Sequence, residues 1–536
     1  MQRSDTLPQV STEGNAAPAA LTRWIGRWRW ALAALALAVG SVLLWLPYLG
    51  MPLDVDVGVY ATVAYWWAHG DPLYQNITPD RSQAIFLVFR VIEGVGLGSV
   101  RGIHFAGALC AALCALLLLA IGARVWDRPI GFGAAALFVA MLATPYMQGP
   151  TTNAELFMLL PLLGSTLLVL AADDYPGASA GADWRIYWSG VLAALATLLK
   201  PPGVAALALA AFWLLRRQRR AGMTWKIWLR AELALAAGFL SGYLPALAHG
   251  LLTAPDRYLD ATIFTRLGHQ SVVSSSLAFQ ASHFWNTVSF LLLHYPVLLV
   301  APAGWWAVRR TRDTRGSALL SLWLLTSFAG ASVGGDWWPH YFQQLLPPLA
   351  LACALGLHAL ATATTPADRV RRLLLAGARS LAMLSIVALV ALLAWLMAPP
   401  ADPAKLTIDH TLPPDATALV ASYVRAHTTP DETIYVAYGQ GDIYYLAQRR
   451  PAARYLHWYE LQRFPGAFAD QVARLNDPVA APTYVVAAQP LASLGLDASG
   501  TLRAAVAQHY TLETTIRGIP IYRHNKTVNQ PPGASQ

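Results

Sequence analysis

A pair of carboxylates follows the first long apolar run of this 536-residue chain. Asp54 and Asp56 are separated by a single valine. Two acids at this spacing can hold a divalent cation such as Mg²⁺ or Mn²⁺, or they can share the work of a general base. Two solvated loop acids would give the same pattern. The pair is therefore both a candidate catalytic centre and a candidate metal site.

Three further motifs put ionisable residues at the ends of apolar runs, where a charge is costly unless it has a partner or a function. Glu155 begins one such run, and Lys200, which precedes two prolines, ends another. Each also has a structural interpretation, because an acid at a helix start complements the helix dipole and a lysine at a membrane surface snorkels. The third motif joins Asp336, two tryptophans, His340 and Tyr341.

The composition predicts that transmembrane helices hold these motifs. Hydrophobic residues make up 56% of the chain and charged residues 12%, about half the charged share of a soluble domain. A helix needs roughly 20 apolar residues to cross a hydrocarbon core of about 30 Å. On that basis we expect about eleven spans, near residues 30–49, 102–122, 130–147, 156–172, 186–200, 202–215, 228–249, 285–308, 317–334, 341–362 and 379–397.

Clusters of arginine indicate how these spans are oriented. Positive residues collect in cytoplasmic loops, which assigns the N-terminus to the cytoplasm and all four motifs to the outer side. The net charge of +9 is explained by these loops, so no nucleic-acid partner is expected. The clusters lie at residues 23–29, 124–128, 216–220, 309–315 and 369–372.

The first outer loop contains two amphipathic stretches, residues 57–68 and 84–98, that predict interfacial helices rather than spans. Arg90 lies near the middle of the second stretch, and a charge at mid-bilayer would cost at least about 3 kcal/mol. The predicted organisation is a cytoplasmic leader (1–29), a transmembrane domain (30–397), an extracytoplasmic α/β domain (398–524) and a disordered tail (525–536).

Within the α/β domain the sequence predicts one helix and two strands. Asp415 is placed to cap a helix that continues to about His427. The runs Thr433–Tyr438 and Tyr484–Ala488 are rich in the residues that favour strands.

The motifs together resemble a known family. The patterns Asp54-Val-Asp56-Val-Gly-Val-Tyr60 and Asp80-Arg81-Ser-Gln resemble the first extracytoplasmic loop of the GT-C glycosyltransferases. The most similar branch holds the aminoarabinose transferases, the protein O-mannosyltransferases and the RgtA/B/C/D-like lipopolysaccharide galacturonosyltransferases. The other motifs, which hold Glu155, Lys200 and His340, also resemble recurring patterns of that family, and the likeness covers residues 30–397. Val57 stands where many members have glutamate, which makes Asp54 the candidate for a second carboxylate.

The resemblance implies a polytopic α-helical membrane protein of GT-C-like fold with an appended α/β domain. It also implies an inverting hexosyl- or pentosyltransferase at the outer face of the plasma (inner) membrane. Such an enzyme takes a sugar from a polyprenyl-phosphate carrier in the bilayer and passes it to a lipid, glycan or protein acceptor. The roles implied are Asp56 as general base with Asp54 and Glu155 beside it, Lys200, Arg81 and His340 for the donor phosphate, and Tyr60, Arg90, Asp336 and Tyr341 in the substrate cavity.

Two other classes of protein compete with this interpretation. A transporter or lipid flippase also needs many spans, but it predicts charges near the bilayer midplane and, often, repeated halves. Here the charges lie at one predicted face and no repeat is evident. A scaffold or receptor built around the C-terminal domain would leave Asp54, Asp56, Glu155 and Lys200 without a role. The sequence contains no GxxxxGK[ST] and no HExxH motif, so neither a P-loop nor a zinc-protease site is indicated.

Overall fold

A computed structural model describes residues 16–174, 180–222, 224–264, 277–333, 337–398, 412–413 and 415–525. Asp336 and the predicted tail beyond Asn525 lie outside these ranges. The helices before the C-terminal segment are α1 (Ala16–Trp45), α2 (Val55–Ala68), α3 (Gln83–Ile92), α4 (Val100–Val125), α5 (Arg128–Leu142), α6 (Ala154–Ala171), α7 (Ala180–Leu199), α8 (Ala205–Ala221), α9 (Trp225–Thr253), α10 (Pro255–Leu259), α11 (Leu277–His294), α12 (Ala301–Arg310), α13 (Thr314–Ser332), α14 (Leu346–Thr362) and α15 (Arg369–Met397).

Each predicted apolar run coincides with helix. Six helical stretches among the described residues are long and apolar enough to cross a membrane: Trp28–Tyr48, Val100–Val125, Ala154–Asp174, Trp225–Thr253, Pro339–Thr362 and Arg369–Met397. A seventh is added if α11 and the helix Pro296–Arg310, which meet at an angle of 96°, form one broken span. Helices α5, α7, α8 and α13 match the remaining runs but are shorter or less apolar. The total of eleven therefore stays a prediction.

The loop after the first apolar run folds into two helices, as the amphipathic stretches predict. The side chain of Asp54 accepts a hydrogen bond from the backbone N–H of Asp56 and so caps α2, as aspartate commonly does at helix starts. Helix α3 buries Phe86 and Phe89 and exposes Leu87 and Val91 on its other side. An apolar exposed face beside a buried one is the pattern expected of an interfacial helix.

The C-terminal segment surrounds a five-stranded sheet. Its helices and strands are α16 (Ala416–Ala426), β1 (Thr433–Val436), α17 (Asp442–Ala447), β2 (Arg450–Pro451), α18 (Trp458–Arg463), α19 (Ala467–Leu475), β3 (Tyr484–Val486), α20 (Thr501–His509), β4 (Tyr510–Ile516) and β5 (Ile519–His524). The strand order is β2-β1-β3-β5-β4. The pairs β2–β1 and β1–β3 are parallel, whereas β3–β5 and β5–β4 are antiparallel.

This segment differs from the prediction in several details. The second predicted strand, Tyr484–Ala488, ends at Val486, and strands β2, β4 and β5 were not predicted. Asp415 precedes α16 as expected, but its side chain makes no capping hydrogen bond and instead pairs with Arg517. The first predicted strand is two residues shorter because Tyr438 has a φ of +64°, a left-handed conformation that ends extended pairing.

Three of the arginine clusters, those at residues 124–128, 216–220 and 309–315, meet at one end of the helical bundle. Arg217 and Arg315 lie 3.6 and 3.4 Å from the carboxylate of Asp173, which follows the C-terminus of α6. The acidic loop after α6 is therefore neutralised by the basic clusters that share its side. Glu155 lies at the opposite end of α6, and an 18-residue helix separates its two ends by about 27 Å.

The C-terminal segment packs directly on the first loop. Gly58 of α2 approaches α17 so closely that an added Cβ would lie 2.4 Å from the backbone nitrogen of Asp442. Beside it, the hydroxyl of Thr62 donates a 2.7 Å hydrogen bond to the carbonyl of Gly441. Only glycine allows such a backbone approach, so this contact fixes the segment over α2.

Candidate active site

Asp56 lies in the first turn of α2, where the helix dipole favours a negative charge. Its side chain is 21% exposed, and one oxygen lies 3.9 Å from Nη2 of Arg81. Asn153 donates a 3.4 Å hydrogen bond to the same oxygen. Asp54 caps α2, so Asp56 is the carboxylate of the pair that faces Arg81 and Asn153.

Arg81 is buried between α2 and the C-terminal segment. Its Nη1 pairs with Asp80 and its Nε donates a 3.3 Å hydrogen bond to the hydroxyl of Tyr60. Its guanidinium therefore has contacts on three sides, with Asp56 as the most distant partner. Burial of a guanidinium is tolerated only when such partners compensate the lost hydration.

Glu155 occupies the first turn of α6 and is 2% exposed. The chain reaches it through Gln148 and Thr152, whose φ angles are +56° and +63°. Non-glycine residues in this region are strained, and such strain is concentrated at functional sites. Asn153 ends the strained turn and caps α6 through a 2.6 Å hydrogen bond from the N–H of Ala154.

Lys200 and His340 converge on one oxygen of Glu155. Lys200 lies in an extended conformation between α7 and Pro201, as a residue before proline prefers, and its ammonium pairs with Oε1 of the glutamate. Nε2 of His340 lies 3.3 Å from the same oxygen. The ring of Tyr341 covers the ammonium at 4.5 Å. Within the described residues, the buried Oε2 of Glu155 has no hydrogen-bond partner.

The cluster keeps Asp56 ionised. Burial raises the pKa of this carboxyl, but nearby positive groups outweigh burial and hold the pKa below its usual range. Arg81 has the larger effect and Lys200 a smaller one, whereas His457 and His340 lower this pKa only when they are protonated. Burial lowers the pKa of His457 to about 4 despite the neighbouring acids, so this imidazole is neutral at physiological pH.

Most residues that the sequence singled out meet in this cluster. The structure brings together Asp56, Tyr60, Arg81, Glu155, Lys200, His340 and Tyr341. Arg90 is an exception, because its guanidinium stacks on the ring of Trp67 at 4.4 Å and has no contact with the cluster. Its place in the substrate cavity stays a prediction, and Asp336 lies outside the described residues.

In the described structure, Asp54 and Asp56 face different partners. Asp54 is turned towards the backbone of α2, and Asp56 faces cationic groups. No group of three or more His, Cys, Asp or Glu side chains among the described residues is arranged to hold a metal ion. The divalent cation therefore stays a prediction, and no step below depends on it.

Sequence reasoning missed three contributors to the site. His457 and Tyr459 come from the C-terminal segment, and no motif or periodicity marks them. The hydroxyl of Tyr459 donates a 3.0 Å hydrogen bond to Asp80. Gln148 pairs with Nδ1 of His340, and only its position shortly before Asn153 and Glu155 hints at a role.

No family model and no curated protein matches this sequence. Solved structures do match. ArnT from Cupriavidus metallidurans bound to undecaprenyl phosphate is similar, with a TM-score of 0.62 at 16% identity over 94% of this chain and 99% of ArnT. The apo form of ArnT gives a TM-score of 0.63 over 96% and 100% of the two chains. The chain has the GT-C fold.

A second GT-C protein gives a weaker match. The archaeal oligosaccharyltransferase AglB from Archaeoglobus fulgidus, in complex with an inhibitory peptide and a dolichol-phosphate, has a TM-score of 0.52 at 14% identity. The match covers 95% of this chain and 76% of AglB. The ArnT match extends over nearly the whole of both chains, so the C-terminal segment is included in the shared fold.

Proposed function

We propose that this chain is an integral membrane glycosyltransferase that transfers a sugar from a polyprenyl-phosphate carrier to a lipid, glycan or protein acceptor. The single observation that carries the proposal is the cluster itself, in which an ionised aspartate and two buried cations meet on the GT-C fold. The carrier class follows from ArnT and AglB, whose structures contain undecaprenyl phosphate and a dolichol-phosphate.

The departing carrier phosphate needs stabilising positive charge. Arg81 and Lys200 are the buried cations of the cluster, and charges act more strongly on a substrate when water is excluded. We assign Arg81, Lys200 and His340 to the phosphate. His340 also holds Glu155, so the phosphate would meet a group whose orientation is already fixed.

Asp56 is the proposed general base. An acceptor hydroxyl is a poor nucleophile, and a positioned base contributes about 10²–10⁴-fold to its attack. Direct attack on the anomeric carbon, with the phosphate leaving from the opposite side, inverts the configuration of the sugar. Asp56 takes the hydroxyl proton as the new glycosidic bond forms, and the free carrier leaves as its phosphate.

Glu155 is the proposed acceptor-orienting residue. Lys200 and His340 both bind its Oε1, whereas Oε2 is buried without a partner among the described residues. A buried oxygen of this kind gains from a hydrogen-bond donor, and a substrate hydroxyl supplies one. The two acids then have different tasks, since one removes a proton and the other holds the hydroxyl.

We assign the reaction to the outer face of the plasma membrane. Three of the arginine clusters meet at the end of α6 that bears Asp173, and the proposed site lies at the other end. Because arginine favours the cytoplasmic side, the opposite end is the outer one. The exposed apolar face of α3, at Leu87 and Val91, suits a site that receives its donor from the bilayer.

The test is to incubate the purified full-length protein with a panel of polyprenyl-phosphate sugars and measure release of the free carrier. We expect release from one donor class and dependence on Asp56. A membrane extract is added as the source of acceptor. If free carrier is then released from none of the donors, the proposal is refuted. Movement of an intact donor across proteoliposomes without release would favour the transporter instead.

A further inference from the structure

The C-terminal segment contributes side chains to the proposed donor site. Helix α18 lies beside the cluster, and the hydroxyl of its Tyr459 donates a 3.0 Å hydrogen bond to Oδ1 of Asp80. The ring of Tyr459 lies 6.0 Å from the guanidinium of Arg81. A residue nearly 400 positions away in the chain therefore touches the loop that carries the phosphate-binding arginine.

The turn that presents Tyr459 is held in one conformation. Oε2 of Glu460 accepts hydrogen bonds from the backbone N–H groups of Leu456 and His457, at 2.9 and 3.1 Å. The N–H of Tyr459 in turn donates to Nδ1 of His457 at 3.4 Å. This reciprocal capping box fixes the start of a helix, and here it fixes the direction of the tyrosine.

A second contact joins the same two parts of the chain. The backbone N–H of Thr78 donates a 2.9 Å hydrogen bond to the carbonyl of Arg454. Thr78 lies two residues before Asp80, and Arg454 lies shortly before the capped turn. A backbone hydrogen bond therefore joins the first loop and the C-terminal segment beside the Tyr459–Asp80 contact.

Asp80 transmits the position of Tyr459 to Arg81. Its Oδ1 accepts from Tyr459 and its Oδ2 from Nη1 of Arg81. The hydroxyl of Tyr60 holds Nε of the arginine at 3.3 Å, and Asp56 is a distant partner at 3.9 Å. Among the described residues, Asp80 is therefore the closest carboxylate to Arg81, and Tyr459 holds its other oxygen.

We propose that Tyr459 is a positioning residue for the donor phosphate, because it fixes Arg81 through Asp80. This inference rests on the proposed function, in which Arg81 binds the phosphate of the carrier. It assigns the C-terminal segment a part in donor binding rather than only in covering the cavity.

The variant that isolates this role is Tyr459→Phe, which removes the hydroxyl and keeps the ring beside Arg81. We expect the KM for the donor, and the Kd for undecaprenyl phosphate alone, to rise about tenfold, the size typical of one lost hydrogen bond to a charged group. We expect kcat to change by less than about threefold, because the attacking and accepting groups are untouched.

A double-mutant cycle tests the route through Asp80. If Tyr459 acts only by orienting Asp80, adding Tyr459→Phe to Asp80→Asn should weaken carrier binding by less than about twofold beyond Asp80→Asn alone. The matched control is Tyr455→Phe, which lies in the same segment and keeps its ring stacked on Phe464 at 5.1 Å. This control should leave KM and Kd unchanged.

Three results would overturn the inference: equal donor KM values for the Tyr459→Phe and Tyr455→Phe variants, full additivity in the double mutant, or a loss confined to kcat. A protein that binds undecaprenyl phosphate but releases carrier from no donor would refute the proposed function, while the Kd comparison would still decide the role of Tyr459. A protein that binds no undecaprenyl phosphate would refute both.

Discussion

Replacing Asp56 with asparagine separates the chemistry of this side chain from its structural contacts. The cap of α2 uses the backbone N–H of residue 56, which the substitution leaves in place. The contact with Asn153, at 3.4 Å, can be kept by the amide oxygen. Among the described residues, the ion pair that is weakened is the 3.9 Å pair with Arg81, and Arg81 keeps its closer carboxylate partner, Asp80. The structural cost should therefore be smaller than that of leaving a buried charge without any partner.

The expected loss of activity is much larger than this structural cost. A general base contributes about 10²–10⁴-fold, which corresponds to roughly 3–5 kcal/mol of transition-state stabilisation at about 1.4 kcal/mol per factor of ten. The Asp56→Asn variant should therefore lose at least about 100-fold in kcat while its unfolding temperature stays close to that of the unmodified protein.

The assay is release of free carrier from the donor that the panel identifies, with the unfolding temperature measured in the same detergent. The comparison variant is Asp54→Asn, which preserves the cap because asparagine serves as well as aspartate at that position. It should lose much less activity than Asp56→Asn. Retention of more than a tenth of the activity by Asp56→Asn would refute the base assignment, as would equal losses in the two variants.

Three other predictions concern stability and pH. Glu155→Gln leaves the ammonium of Lys200 buried without a carboxylate and should lower the free energy of unfolding by about 3–5 kcal/mol. The double variant Glu155→Gln/Lys200→Met should recover part of this loss, as measured by thermal unfolding. Gly58→Ala should destabilise the folded protein by about 1–3 kcal/mol through overpacking against Asp442. The control Gly94→Ala should leave stability unchanged, because a Cβ at Gly94 meets nothing within 4 Å. Finally, the donor phosphate adds negative charge near Asp56 and competes with it for Arg81. The depressed pKa of Asp56 should therefore rise when the donor binds. The acid limb of the pH profile of kcat should then lie at higher pH than the acid limb of kcat/KM, and coincident limbs would contradict this.

The gathering of distant residues at one end of the bundle could be predicted from sequence. Span length and the distribution of arginine together determine the side of each helix end, and this assigned Asp56, Glu155, Lys200 and His340 to one side. Which of these residues touch could not be predicted. The pairing of Lys200 with Glu155 depends on lateral packing between α6 and α7, which hydropathy does not encode.

Other contacts that the sequence did not reveal have a related cause. The stacking of Arg90 on Trp67 is decided by the rotation of α3 against α2, which the amphipathic pattern of α3 does not specify. Tyr459 carried no signal, since its position depends on how the C-terminal segment docks through Gly58. Long-range docking of this kind leaves no periodicity in either segment.

The two cations of the site differ in how firmly they are held, and this difference suggests the order of events on donor binding. Lys200 pairs with a glutamate that is 3% exposed, under the ring of Tyr341, so moving it would leave a buried charge without a partner. Arg81 lies 3.9 Å from Asp56, whose side chain is 21% exposed, and a phosphate can replace that contact at little cost. We therefore expect Nη2 of Arg81 to exchange Asp56 for the phosphate, while Nη1 stays paired with Asp80 and Lys200 stays in place. That exchange frees the carboxylate at the moment when it must accept a proton, and it explains why one aspartate can be both an ion-pair partner in the free protein and the base in the complex.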